Sequence, residues 1–239
     1  MLGLWDPWYW AVIGIGLGLS LWASAKVKGT FARYSRIPTR SGRTGADVAR
    51  AILRDNGILD VRVEPVHGSL TDHYDPRTKT LRLSEPVYGG QSMAAFGVAA
   101  HEVGHAIQHA SGYAPLGFRS AWVPVASFGG SISTIVLILA FFMGGAATYF
   151  GATLSWIGIA LFGATTIFTL VTVPVELDAS KRALRTLESG GYTTEEELHG
   201  ARKVLNAAAL TYVAAFVASL LTLLYWVMRL GVLGGNRNQ

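Results

Sequence analysis

The sequence predicts an integral membrane protein, mainly α-helical, with four transmembrane helices and a cytosolic α+β lobe. Three observations carry that expectation. Of the 239 residues 51% are hydrophobic and only 15% are charged, a charge fraction well below that of a soluble domain. Four apolar runs, at about 8–25, 121–143, 149–173 and 207–228, are each long enough to cross a hydrocarbon core at about 1.5 Å per helical residue. The polar residues concentrate in two stretches between those runs.

The first run is headed by Trp5, Trp8, Tyr9 and Trp10, which suits an interfacial aromatic belt. Ala23-Ser24-Ala25 resembles a signal-peptide cleavage site, but the charge order is the reverse of a signal peptide. Asp6 precedes the run, whereas Lys26, Lys28, Arg33, Arg36, Arg40 and Arg43 follow it. That order describes an anchor with its N-terminus outside and its C-terminal flank in the cytosol.

Beyond residue 26 the chain is polar and mixed. Thr44 with Asp47 reads as a helix start, Val48, Ala51, Ile52 and Leu53 supply an apolar stripe, and Asn56-Gly57 ends it. Residues 61–64, 70–74 and 80–84 read as strands, with a turn at Asp75-Pro76-Arg77. A meander or hairpin then leads into a helix over 93–110, apolar almost all round and therefore buried; Gly112 ends it. Residues 144–148 carry no charge and join the second and third runs as a tight hairpin, while Thr193 and Glu196 match a capping box ahead of the last. Small residues at Gly129-Gly130-Ser131, Ser133 and Gly144-Gly145 suit close helix packing, within one chain or between chains. Five segments result: an anchor (1–25), a lobe (26–120), a transmembrane hairpin (121–175), a cytosolic helical segment (176–206), and a fourth transmembrane helix with its tail (207–239).

A net charge of +5 raises the question of nucleic acid, yet the basic residues sit beside the apolar runs, so no nucleic-acid partner is expected. Of the 20 Lys and Arg, 13 lie between Lys26 and Arg119, 5 between Lys181 and Lys203, and 2 after Met228. Four spans put the first two groups on one side, which the positive-inside rule makes the cytosol.

The chemistry centres on His101-Glu102-Val103-Gly104-His105. Residues four apart share a helix face, so His101 and His105 can present two imidazoles to one zinc ion, with Glu102 placed to take a proton from a zinc-bound water. The bland alternative is a core helix with two satisfied histidines. There are no cysteines, so any metal must be held by His, Asp, Glu or water. Catalytic zinc takes three protein ligands, and Glu176, following the third apolar run on the same predicted side, is the candidate third; the competing reading makes it merely the first polar residue after a span. His73, Tyr74, Tyr88, His109 and Arg182 are candidates for an oxyanion donor, although His109 also reads as structural and His73-Tyr74 as part of a hydrogen-bonded turn. Leu81, Arg82 and Leu83 form a candidate strand for pairing with an extended peptide if it is an exposed edge; the alternative is an ordinary strand packing its leucines on the helix.

A-A-H-E-V-G-H-A-I-Q-H, with L-T-D-H-Y-D-P-R upstream and P-V-E-L-D-A-S-K-R-A downstream, resembles the YugP-type membrane zinc metallopeptidases of bacteria. The resemblance covers nearly the whole chain and implies a zincin-like lobe with a gluzincin-like site. There His101 and His105 match the histidine ligands, Glu176 the third and Glu102 the catalytic glutamate. The chain is more distantly similar to HtpX-like and CAAX-prenyl-protease membrane zincins, which carry E-x-x-x-D on the third-ligand helix. Here the position four after Glu176 is Ser180, and the acid is Asp178, which on an ideal helix points away from Glu176.

The expectation is thus a zinc-dependent endopeptidase in the bacterial cytoplasmic membrane, with one Zn2+ per chain and its site facing the cytosol. Its partners would be a peptide or membrane-protein substrate and the bilayer, with a membrane-protein partner or a second copy of the chain left open. A zinc-stabilised scaffold is the alternative. A transporter is disfavoured because the runs at 121–143, 149–173 and 207–228 contain no Asp, Glu, Lys, Arg or His.

Overall fold

A computed structural model describes residues 6–229; Trp5 and the tail after residue 229 lie outside the described residues. The described chain falls into two compact units. One comprises the described parts of Met1–Trp22, Phe118–Val173 and Tyr212–Gln239, the other Ala23–Gly117 and Pro174–Thr211.

The first unit is built from apolar helix. Helices α1 (Pro7–Tyr34), α5 (Ala114–Phe142), α6 (Tyr149–Ser189) and α7 (Glu195–Arg229) are the four that are long and apolar enough to cross a membrane. Asp6 starts α1 by accepting from the Trp8 backbone N–H at 3.0 Å, and its other oxygen accepts from the Tyr225 hydroxyl at 3.1 Å and faces Arg229 at 3.2 Å. Small residues bring the helices together within the chain. Gly16 lies against Ala218, Gly129 against Leu161 and Thr165, and Gly158 against Leu137. A single 3-10 turn, Gly145–Ala147, joins α5 to α6, and Gly144 enters it at φ +93°, which a glycine adopts without strain.

In the second unit, α2 (Gly45–Asp55) starts where expected. The Thr44 hydroxyl accepts from the Asp47 N–H at 3.1 Å while the Asp47 carboxylate accepts from the Thr44 N–H at 3.0 Å, a reciprocal cap. Its buried face carries Val48, Ile52 and Leu53. Strands β1 (Arg62–Val66), β2 (His73–Asp75) and β3 (Thr80–Ser84) form a sheet in the order β1-β3-β2. The β2–β3 pair is the expected antiparallel hairpin, but β1 pairs with β3 in parallel, so the three are not a meander. This corrects the edge-strand expectation for Leu81, Arg82 and Leu83. Their strand is central, paired on both sides, and Leu81 and Leu83 are fully buried.

A short helix, α3 (Glu85–Tyr88), turns the chain toward α4 (Met93–Ala110), which Ser92 caps by accepting from the Ala95 N–H at 3.2 Å. The polar stretch after residue 176 is not a separate helix at its start, because α6 runs unbroken from Tyr149 to Ser189. The cap of α7 sits one residue later than predicted. Thr194 and Glu197, not Thr193 and Glu196, exchange the reciprocal bonds, at 2.8 and 3.3 Å. Helix α4 is the hub of the core. Phe96, Ala99, Ala100 and Val103 are buried in one cluster with Val48 and Ile52 of α2, Leu81 and Leu83 of β3, Ala183 and Leu187 of α6, and Ala201 and Leu205 of α7. Two glycines allow its close approaches: Gly97 lies against Ala201, and a Cβ at Gly104 would overlap the Ala179 carbonyl oxygen.

Candidate metal centre

Helical spacing puts His101 and His105 side by side on α4, their ring centroids 4.8 Å apart and nearly perpendicular at 81°. The contact at Gly104 and Ala179 brings α6 against that face, and Glu176, three residues before Ala179, projects onto the rings. Glu176 Oε2 is 3.1 Å from His101 Nε2 and 3.5 Å from His105 Nε2, and one donor atom from each of the three residues falls within 4.8 Å of the others. The cluster is sheltered: Glu176 is 2% exposed and His105 6%.

The remaining ring nitrogens are held from behind. His101 Nδ1 lies 3.1 Å from Ser180 Oγ, one helical turn along α6 from Glu176. His105 Nδ1 lies 2.9 Å from Gln108 Oε1, and Gln108 Nε2 donates to the Val175 carbonyl and to Asp178 Oδ2, both at 2.8 Å. Those two donations orient the Gln108 amide with its oxygen toward His105. The proton of a neutral His105 is then on Nδ1, leaving the Nε2 lone pair facing the Glu176 carboxylate. Two acceptors 3.5 Å apart in a buried site are satisfied by a proton or a metal ion between them.

Glu102 is 7% exposed and has no hydrogen bond or ion pair among the described residues. Neither of its oxygens is sealed from accessible surface, so a water can reach the carboxyl. Burial raises its pKa above the usual carboxylate range; the charges of His101 and His105 oppose that shift, and those of Glu176 and Asp72 add to it.

The other sequence candidates separate into two groups. Asp178 and Arg182 stand behind the site: Arg182 Nε donates to Asp178 Oδ2 at 2.6 Å, and the guanidinium lies over the Tyr113 ring, 5.6 Å from its centroid. Asp178 thus reaches His105 through Gln108 instead of touching a member of the cluster. Tyr74 and His109 pair with each other, hydroxyl to Nδ1 at 2.8 Å, tying β2 to α4; burial, with the charges of Asp60 and Asp75, pushes the Tyr74 hydroxyl up to about 12. His73 Nδ1 turns back to the Thr71 carbonyl at 2.9 Å, and the Tyr88 hydroxyl accepts from Arg50 at 2.7 Å. None of these four joins the three-donor cluster.

Sequence reasoning missed Gln108 and Ser180. Both were signalled by spacing, since Gln108 is three residues beyond His105 and Ser180 four beyond Glu176, each on the same helix face as that residue.

The family model described as "Putative neutral zinc metallopeptidase" matches residues 9–231. The chain belongs to this family. As a member of the neutral zinc metallopeptidase family it is 49% identical over 212 residues to the "Putative membrane protease YugP" of Bacillus subtilis strain 168, covering 89% of this chain and 92% of that one. No solved structure matches it at a significant level. The donor set suits the metal in the family's description. Two imidazoles and a carboxylate are a catalytic zinc set, and bonds of about 2.0–2.2 Å in a tetrahedron separate donors by about 3.3–3.6 Å, close to the 3.1 and 3.5 Å found here.

Proposed function

We propose that this protein is a membrane-embedded zinc-dependent endopeptidase that hydrolyses peptide bonds at the cytosolic face of the membrane. The observation that carries the reading is the convergence of His101, His105 and Glu176 beside a buried, unpartnered Glu102.

His101, His105 and Glu176 would hold the ion, leaving its fourth position for water. Bound zinc supplies an acidified water and a Lewis acid for the scissile carbonyl. Glu102 would accept the water's proton at its carboxylate and pass it to the leaving amine, as a general base that then acts as an acid. Ser180 and Gln108 keep both Nε2 atoms turned inward, so the ligands meet the ion without reorganising. The pairing edge for an extended peptide passes from β3 to β2, the outer strand beside α4, whose Tyr74 is already fixed by His109.

The test begins with metal analysis of the purified protein, which should find about one zinc per chain, followed by cleavage of an unfolded protein substrate. Glu102→Gln should lower kcat by about 10²–10⁴ with zinc retained; full activity in that variant sinks the mechanism. Orientation has a separate test. Since the chain has no cysteine, Ser41→Cys should resist an impermeant thiol reagent applied outside intact cells, and labelling there would place the lobe on the other side.

A further inference from the structure

We propose that a cleft between α6 and α7 in the second unit binds the phosphate headgroup of an anionic phospholipid. On α6, residues 177, 181, 184, 185 and 188 follow helical spacing and share one face; on α7, residues 202, 205, 206 and 209 do the same. The two faces enclose a cavity of about 420 Å³. Leu177, Leu184 and Leu205 provide its apolar lining, and Lys181, Arg185 and Arg202 its charge.

What sets Lys181, Arg185 and Arg202 apart is that the three line one cavity. None of them has an ion pair among the described residues, whereas their neighbour Arg182 is committed to Asp178. The single acid lining the cleft is Glu188, leaving a surplus of positive charge in a concave site. A phosphodiester between two or three such side chains satisfies both its oxygens and their charge.

The leucines and the position along the chain favour a lipid over free phosphate. Leu177 comes four residues after the apolar run of α6 ends at Val173, and Asn206 immediately precedes the apolar run of α7. Both walls are therefore drawn from the ends of stretches long enough to cross a membrane. Headgroups lie at that level, and the glycerol and first acyl carbons would meet Leu177. This inference does not depend on the peptidase reading.

The full-length protein, reconstituted in nanodiscs of phosphatidylcholine with a minor fraction of phosphatidylglycerol, is released and weighed by native mass spectrometry. Retained phosphatidylglycerol should fall about fivefold for each of Lys181→Gln, Arg185→Gln and Arg202→Gln. A control triple, Lys26→Gln, Lys28→Gln and Arg36→Gln, should behave as the parent. Asn206→Trp fills the cleft without removing charge and should also lose the lipid, so the test survives if a charge variant fails to fold. Losses in the control triple as large as in the cleft variants, or full retention in Asn206→Trp, would overturn the proposal. So would inorganic phosphate raising the melting temperature as much as short-chain phosphatidylglycerol.

Discussion

Gln108 and Ser180 decide how the two histidines face. With a donor or acceptor fixed behind each Nδ1, the rings cannot rotate their Nε2 atoms out of the cluster without leaving a buried polar group unmatched. Outer contacts of this kind are worth about 10–100-fold in metal affinity. Gln108→Leu and Ser180→Ala should each weaken zinc by that order in a competitive chelator titration; unchanged affinity in both would make them packing residues only. Gln108→Leu should be the worse of the two, because it also strands the Val175 carbonyl and removes a donor from Asp178.

Asp72 offers a pH test away from the ligands. Burial raises its pKa even though Ser84 donates to it twice, at 2.7 and 2.9 Å. A carboxyl whose folded pKa is raised adds stability below its ordinary pKa, and that stability is lost as pH rises through the folded value. At neutral pH the ionised Asp72 therefore subtracts from stability. Asp72→Asn should melt higher than the parent at pH 7, with the gap closing on acidification; a gap that does not change with pH would refute the assignment.

At the scale of elements, the contact of α4 on α6 at Gly104 sets the whole site. A methyl at Gly104 meets a backbone oxygen, which cannot move aside like a side-chain tip. Gly104→Ala should thus lower stability by about 1–3 kcal/mol and displace Glu176 from the histidines, read as a drop in both melting temperature and zinc content. Helix α4 and its histidines were legible in the sequence because local spacing determines them, and so was the Thr44–Asp47 cap. The cap of α7 was not, because Thr193 and Thr194 precede a run of three glutamates and both registers fit locally. A distant bond from the Arg40 N–H to Glu197 Oε1, at 2.6 Å, favours the second. The order of the sheet was hidden for a similar reason: the parallel pairing of β1 with β3 passes over β2, and nothing within β1 announces it. Asp178 was put in doubt by helix geometry, since it points away from Glu176; the Gln108 amide that links it to His105 could not be foreseen from one helix alone.

For the whole molecule, metal binding and folding of the second unit should be linked, since α4 and α6 both lend donors to one cluster. Any ligand that binds only the folded state at about a hundred times its Kd adds about 2.7 kcal/mol. Chelation should therefore lower the melting temperature of the zinc-loaded protein, and Glu102→Gln, which keeps the donors, should respond by the same amount. A parent whose melting ignores chelator would show that the cluster does not hold a metal in the folded protein.

His101 and Glu176 meet although 75 residues of chain separate them. During synthesis, a ribosome that has completed α4 has made both histidines and the glutamate beside them, but the third donor is still untranslated. At about 5–20 residues per second, several seconds pass, and most of α5 and α6 must be made, before the cluster can close. The young chain therefore carries two of the three donors before the third exists, and the cluster assembles only once most of the apolar chain between them has been made.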